Sequence, residues 1–179
     1  MTSPDPRSSA RPDTRVEPSM MAGERESLDG WLEYYRETVL LKIDGLDGEQ
    51  LARRSVPPSA LSPAGILRHL ADVEAYWLLE VLHGEEQPDP HCSDDNPDGD
   101  FLDATAETAL ADVAAYREQV EASRAAQARW PDLDAPVLGW RRGQELNLRW
   151  ILSHLLEEYA RHQGHLDLLC EAVDGRTGE

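Results

Sequence analysis

The stretch from Trp150 to Asp174, WILSHLLEEYARHQGHLDLLCEAVD, reads as one long amphipathic helix whose apolar stripe is interrupted by ionisable side chains. At 3.6 residues per turn, Ile151, Leu155, Leu166, Leu169 and Val173 share one face, and Glu158 and His162 fall in the middle of it. His154 and His165 lie on its edge, while Ser153, Glu157, Ala160, Arg161, Gly164 and Glu171 form a solvated side. A carboxylate turned toward a core loses its hydration, so something must sit opposite Glu158. One candidate is an arginine from a neighbouring helix. The other is a divalent metal, because Glu158 and His162 are an i, i+4 pair about 6 Å apart along the axis, and carboxylate with neutral imidazole is a common Zn2+ ligand set. His154 and His162 are two turns apart, about 12 Å, and cannot both reach one ion. Any third ligand must come from another element.

The rest of the chain limits what that helix packs against. With 179 residues and 40% hydrophobic content, one domain with a substantial core is expected. A net charge of -18 argues against nucleic acid and anionic membrane surfaces as partners. The basic pair Arg141 and Arg142 reads as solvated loop charge. No apolar run reaches the roughly 20 residues of a membrane span, and no signal or transit segment is evident, so a cytoplasmic location is expected. Cys92 and Cys170 lack metal-motif spacing and are expected to be reduced thiols.

Residues 1–23 are rich in Pro, Ser and Arg without periodicity, which predicts a disordered tail. Leu28, Trp31, Leu32, Tyr35, Val39 and Ile43 predict a helix over 24–44, with Gly45 as its stop and Asp47 capping a short turn. Ser62-Pro63 opens a second helix with Ile66, Leu70, Val73, Trp77 and Val81 as its buried stripe, His69 on the flank and Gly84 at the end. The acidic segment 85–103 has no helical or strand pattern, and its DDNPDGD run does not match a calcium loop; His83 and His91 read as surface residues. A third helix begins at Thr105 or Thr108 and runs to about Arg129, with Leu110, Val113, Tyr116 and Val120 on one side. A connector follows, with a short extended piece around Val137 to Trp140, and the last helix begins near Leu146 or Asn147. Four long helices with connections of intermediate length predict an all-α four-helix bundle over 24–175, followed by a short tail over 176–179.

LSPAGILRHLADVEAYW together with LRWILSHLLEEYARHQGHLDLL resembles the DinB-like superfamily of four-helix-bundle metalloproteins, in the branch that includes mycothiol-dependent maleylpyruvate isomerase. The resemblance implies that His69 from the second helix joins Glu158 and His162 from the last to hold a divalent metal, Zn2+ first and Ni2+ as the alternative. Glu158 replaces the middle His of the commoner three-His form, as it does in the isomerase branch. Three protein ligands imply an open, catalytic position that would hold water or a thiolate. His154 and His165 are then candidates for orienting a ligand or acting on a bound substrate.

These implications order the functional readings. The first is a metal-dependent transferase or isomerase that activates a low-molecular-weight thiol, mycothiol by resemblance, toward an electrophile. The second is a hydrolase using metal-bound hydroxide. The third is a noncatalytic, stress-associated bundle that keeps a metal for stability. The extra C-terminal domain of the isomerase is not expected here, which counts against maleylpyruvate as substrate and makes a homodimer one way of completing the pocket.

Overall fold

In a computed structural model, which describes residues 12–88, 91–139 and 141–177, the chain is helical and, among those residues, contains no strand beyond isolated bridges. The long helices are α1 (Glu24–Ile43), α3 (Pro63–Ala75), α5 (Ala109–Ala128) and α6 (Leu148–Asp174); α2 (Gly48–Leu51) and α4 (Gly99–Leu102) are single turns in the connections. α3 runs on through a wide π-type turn, Tyr76–Val81. α1 packs against α6, and α3 against both α5 and α6, which makes the expected four-helix bundle. No helix among the described residues is long and apolar enough to cross a membrane.

The helix boundaries follow from local chemistry. Asp47 accepts from the Gln50 amide while the Gln50 side chain returns to the Asp47 amide, a reciprocal cap on α2. The Ser62 hydroxyl accepts from Gly65 N, with Pro63 in the first turn of α3, and the Asn147 side chain accepts from Trp150 N to open α6. α3 ends at Gly84, whose φ of 69° lies in the left-handed region that glycine enters without strain.

Leu32, Val39, Ile66, Leu67, Leu70, Leu78, Ile151, Leu155 and Leu166 form the centre of the core, each such side chain contributing roughly 1.5–3 kcal/mol by leaving water. Two expected stripe residues are not there: Leu110 is 62% exposed and Trp31 lies at the surface. α5 instead turns Ala109, Tyr116, Val120 and Ala126 inward. The extended piece near residue 137 exists: Val137 N donates to Leu146 O, Leu138 N to Leu82 O and Gly139 N to Val81 O, satisfying carbonyls that the end of α3 leaves open. Trp140 lies outside the described residues.

Inside the bundle lies a charged network. Arg36 of α1 and Glu74 of α3 are 1% and 0% exposed and joined by two hydrogen bonds of 2.7 Å. Tyr159 of α6 donates to Glu74 Oε1 at 2.7 Å, which leaves Tyr116 of α5 to donate to the Tyr159 oxygen at 2.9 Å. Burial pushes both phenols up in pKa, so they remain donors. One network thus ties all four long helices together.

The expected N-terminal tail falls partly outside the described residues, at 1–11. Within 12–23, Arg15 donates to the Thr38 hydroxyl at 3.1 Å and its guanidinium lies 4.9 Å from the Tyr34 ring centre, against α1.

Candidate metal centre

α3 and α6 pack so that the flank of one faces the middle of the other's stripe. This brings His69 Nε2 to 3.7 Å from Glu158 Oε2, with His162 Nε2 also 3.7 Å from the same oxygen. All three ligand atoms lie within 4.8 Å of one another. Donors held about 2.1 Å from one tetrahedral ion would sit roughly 3.4 Å apart, so the observed spacing is near what such an ion requires.

The histidine environments favour lone pairs that face inward. His69 Nδ1 is 2.8 Å from Asp100 Oδ2. With that proton given to Asp100, Nε2 carries the lone pair, and Nε2 is buried with no hydrogen-bond partner. His162 Nδ1 lies 3.3 Å from His165 Nδ1. If His162 donates there, its Nε2 is likewise free toward Glu158. Burial, reinforced by the neighbouring imidazoles of His69 and His165, pulls His162 down to about 3, so it stays neutral at physiological pH. Phe101 stacks on His69 with ring centres 4.6 Å apart and closes one side.

Asp100 and Phe101 belong to α4, in the acidic segment expected to be featureless. That expectation is corrected: α4 presses against Gly65 in the first turn of α3, and Asp100 is buried. His91 is also not a surface residue, because its Nδ1 meets Asp72 Oδ1 at 2.8 Å, nor is His83, whose Nε2 meets Ala126 O at 2.8 Å.

His154 stands on the other side of Glu158, its Nε2 3.5 Å from Oε1 and its Nδ1 3.3 Å from Glu157 Oε2. Its ring packs edge-on to Trp77 at 4.8 Å and stacks on Trp150 at 5.1 Å. Burial lowers its pKa, outweighing the pull of Glu158. The second grouping able to hold an ion, His154 with Glu157 and Glu158, shares Glu158 with the first and includes an exposed carboxylate. Arg161 is the cation near Glu158 at 3.7 Å, but it is exposed and its close partner is Glu157. Two guanidiniums are buried among the described residues: Arg36 already has Glu74, and Arg68 of α3 makes no ion pair with Glu158. Cys170 is not a poised nucleophile, since burial pushes its thiol up to about 11.

The sequence reading missed Arg36, Glu74 and Asp100. Arg36 lies between Leu32 and Val39, and Glu74 between Leu70 and Leu78, so the argument applied to Glu158 would have found both. No individual curated protein matches the chain. A family model described as mycothiol-S-transferase matches residues 27–175, nearly the whole bundle and every residue of the His69, Glu158 and His162 cluster. The chain belongs to the mycothiol-S-transferase family, within the DinB-like bundles.

Proposed function

We propose that this protein is a metal-dependent S-transferase that joins the sulfur of mycothiol, or a closely similar small thiol, to an electrophile. The observation that carries the reading is His69 Nε2, a buried nitrogen without a partner, aimed at Glu158 while Nδ1 is held by Asp100. A carboxylate behind an imidazole is the usual support of a metal-binding histidine. His69, Glu158 and His162 would hold the ion, and two nitrogens with one oxygen suit Zn2+. When bound, such an ion supplies a positive charge that favours the thiolate form of a thiol.

The remaining roles belong to the chain's own side chains. Asp100 fixes the tautomer of His69, and His165 Nδ1 lies within reach of His162 Nδ1. Phe101 shields the cluster from water on one side. His154, kept uncharged by burial, offers an imidazole nitrogen to the thiol proton beside Glu158. In the reaction a C–S bond forms. The thiol proton passes to the base, and the leaving group departs with the bonding pair; in addition to an activated double bond, the proton ends on the neighbouring carbon.

The test is elemental analysis of the purified protein, followed by turnover of a chloronitroarene with mycothiol, with cysteine and without thiol. The expected result is one divalent ion per chain and turnover that needs both ion and thiol. A fully metal-loaded protein with no thiol-dependent turnover across a panel of electrophiles would overturn the proposal. Turnover of esters or amides without thiol would assign hydrolysis instead.

A further inference from the structure

Arg141 is poorly described as solvated loop charge. Its guanidinium sits 4.4 Å over the Trp77 ring and 5.6 Å from the Tyr76 ring, with Nη1 3.4 Å from the Tyr76 hydroxyl. Among the described residues no carboxylate pairs with it, although the chain has 35 acidic groups for 17 basic ones. Trp77 is 3% exposed and therefore a fixed floor, whereas Trp150 is 47% exposed and leans against Trp77 with ring centres 5.1 Å apart. Beside them opens a cavity of about 270 Å3 lined by Arg141, Gln144, Glu145, Leu146, Asn147 and Trp150. His154 lies between Trp150 on the cavity wall and the candidate metal centre, since its ring packs on Trp77 and Trp150 and its Nε2 faces Glu158.

The chemistry of these groups selects a ligand. A guanidinium held over an indole with one Nη–H on a phenol oxygen still has further N–H groups, and these can donate to a carboxylate. An exposed indole offers a flat body a surface for offset stacking. The volume lies below the roughly 300–1,000 Å3 of sites for drug-sized molecules, so the occupant is small. Glu145 on the rim is an exposed carboxylate and disfavours a second negative charge there.

We propose that this cavity is the subsite for the electrophile, that the electrophile is a small organic anion with one carboxylate on a flat unsaturated body, and that Arg141 selects it. The proposal rests on the S-transferase reading only for the word electrophile; the anion site itself does not depend on it.

The experiment is calorimetric titration of the full, metal-loaded chain with trans-cinnamate and its neutral counterpart cinnamamide, and separately with mycothiol. Cinnamate should bind at least tenfold more tightly than cinnamamide. Arg141→Gln should abolish that preference, Arg141→Lys should keep part of it, and Trp150→Ala should weaken both ligands alike. His162→Ala should leave cinnamate binding in place, and Arg141→Gln should leave mycothiol binding in place with its circular dichroism unchanged. Equal affinity for the two probes, no binding of either at millimolar concentration, or a preference that survives Arg141→Gln would overturn the proposal. Loss of mycothiol affinity in Arg141→Gln would overturn it too, by assigning the cation to the thiol. An Arg141-dependent cinnamate site without thiol-dependent turnover would sink the transferase reading and leave the anion site. Thiol-dependent turnover indifferent to electrophile charge would do the reverse.

Discussion

Asp100→Asn is the most discriminating single substitution at the metal centre. Asp100 uses both oxygens: Oδ2 faces His69 Nδ1 at 2.8 Å, and Oδ1 accepts from Phe101 N at 2.8 Å. An amide has one acceptor oxygen, so asparagine satisfies one partner and presents an NH2 to the other. If the oxygen stays with Phe101 N, the NH2 faces His69 Nδ1 and favours the tautomer with its proton on Nε2, the atom aimed at Glu158. If the amide flips, His69 keeps its acceptor but the Phe101 amide meets a donor, and α4 loosens from α3. Either outcome weakens the site. Loss of such a supporting partner commonly costs 10–100-fold in metal affinity, roughly 1.4–2.8 kcal/mol. Zinc affinity measured against a competing chelator should fall within that range, and nitrogen shifts of the His69 ring should report the proton moving to Nε2. Unchanged zinc affinity together with an unchanged tautomer would refute the reasoning.

Glu158→Gln should lower bound zinc and thiol turnover, whereas Glu158→His should recover much of both; measured metal content fails the idea if the two variants bind alike. The pH dependence of the metal-free protein follows from His162, whose folded-state pKa of about 3 lies below its unfolded value near 6.5. The unfolded chain therefore binds the extra proton in between, so its stabilising contribution is complete above about 6.5 and is lost as pH falls toward 3, by an amount on the order of a few kcal/mol. Urea unfolding of His162→Gln should show a shallower slope across that window, and parallel curves would contradict the assignment. Glu74→Ala leaves the buried Arg36 guanidinium with only Glu33 as a partner and should cost up to about 3–5 kcal/mol, a drop of roughly 6–20 °C in Tm. Arg36→Met with Glu74→Gln should regain most of that in thermal melts, because Gln still accepts from Tyr159; no recovery would argue against an unpaired buried charge as the cause.

What could be read from the residues was whatever repeats along a helix. The stripe of α6, the caps at Asp47 and Ser62, and the pairing of Glu158 with His162 depend on local spacing, whereas His69 was joined to them only by the family resemblance; the fold brings those three side chains together. Asp100 was illegible because the acidic segment has no period, and its role exists only once α4 docks on α3. Arg141 was illegible for a related reason, since nothing in a pair of adjacent arginines announces that one of them lies on a buried indole. The exposure of Leu110 reflects an Ala-rich helix that buries small residues, Val120 and Tyr116 in place of a leucine stripe. The wide turn at Tyr76–Val81 left no trace either, because Val73, Trp77 and Val81 fit a four-residue spacing whether or not one turn holds an extra residue.

That turn divides α3 into two lengths that answer to different demands. Before it, His69 and Glu74 are phased against α6; after it, the carbonyls of Val81 and Leu82 receive the backbone of Gly139 and Leu138, at a glycine whose absent Cβ would collide with the Glu80 carbonyl. Narrowing this turn to ordinary α geometry with every residue kept would rotate everything downstream by about 100° while leaving everything upstream in place. The chain would keep its candidate ligands and lose the seat that carries Arg141 onto Trp77. A change in the winding of one turn, with no change of any candidate ligand, is therefore enough to take Arg141 off Trp77.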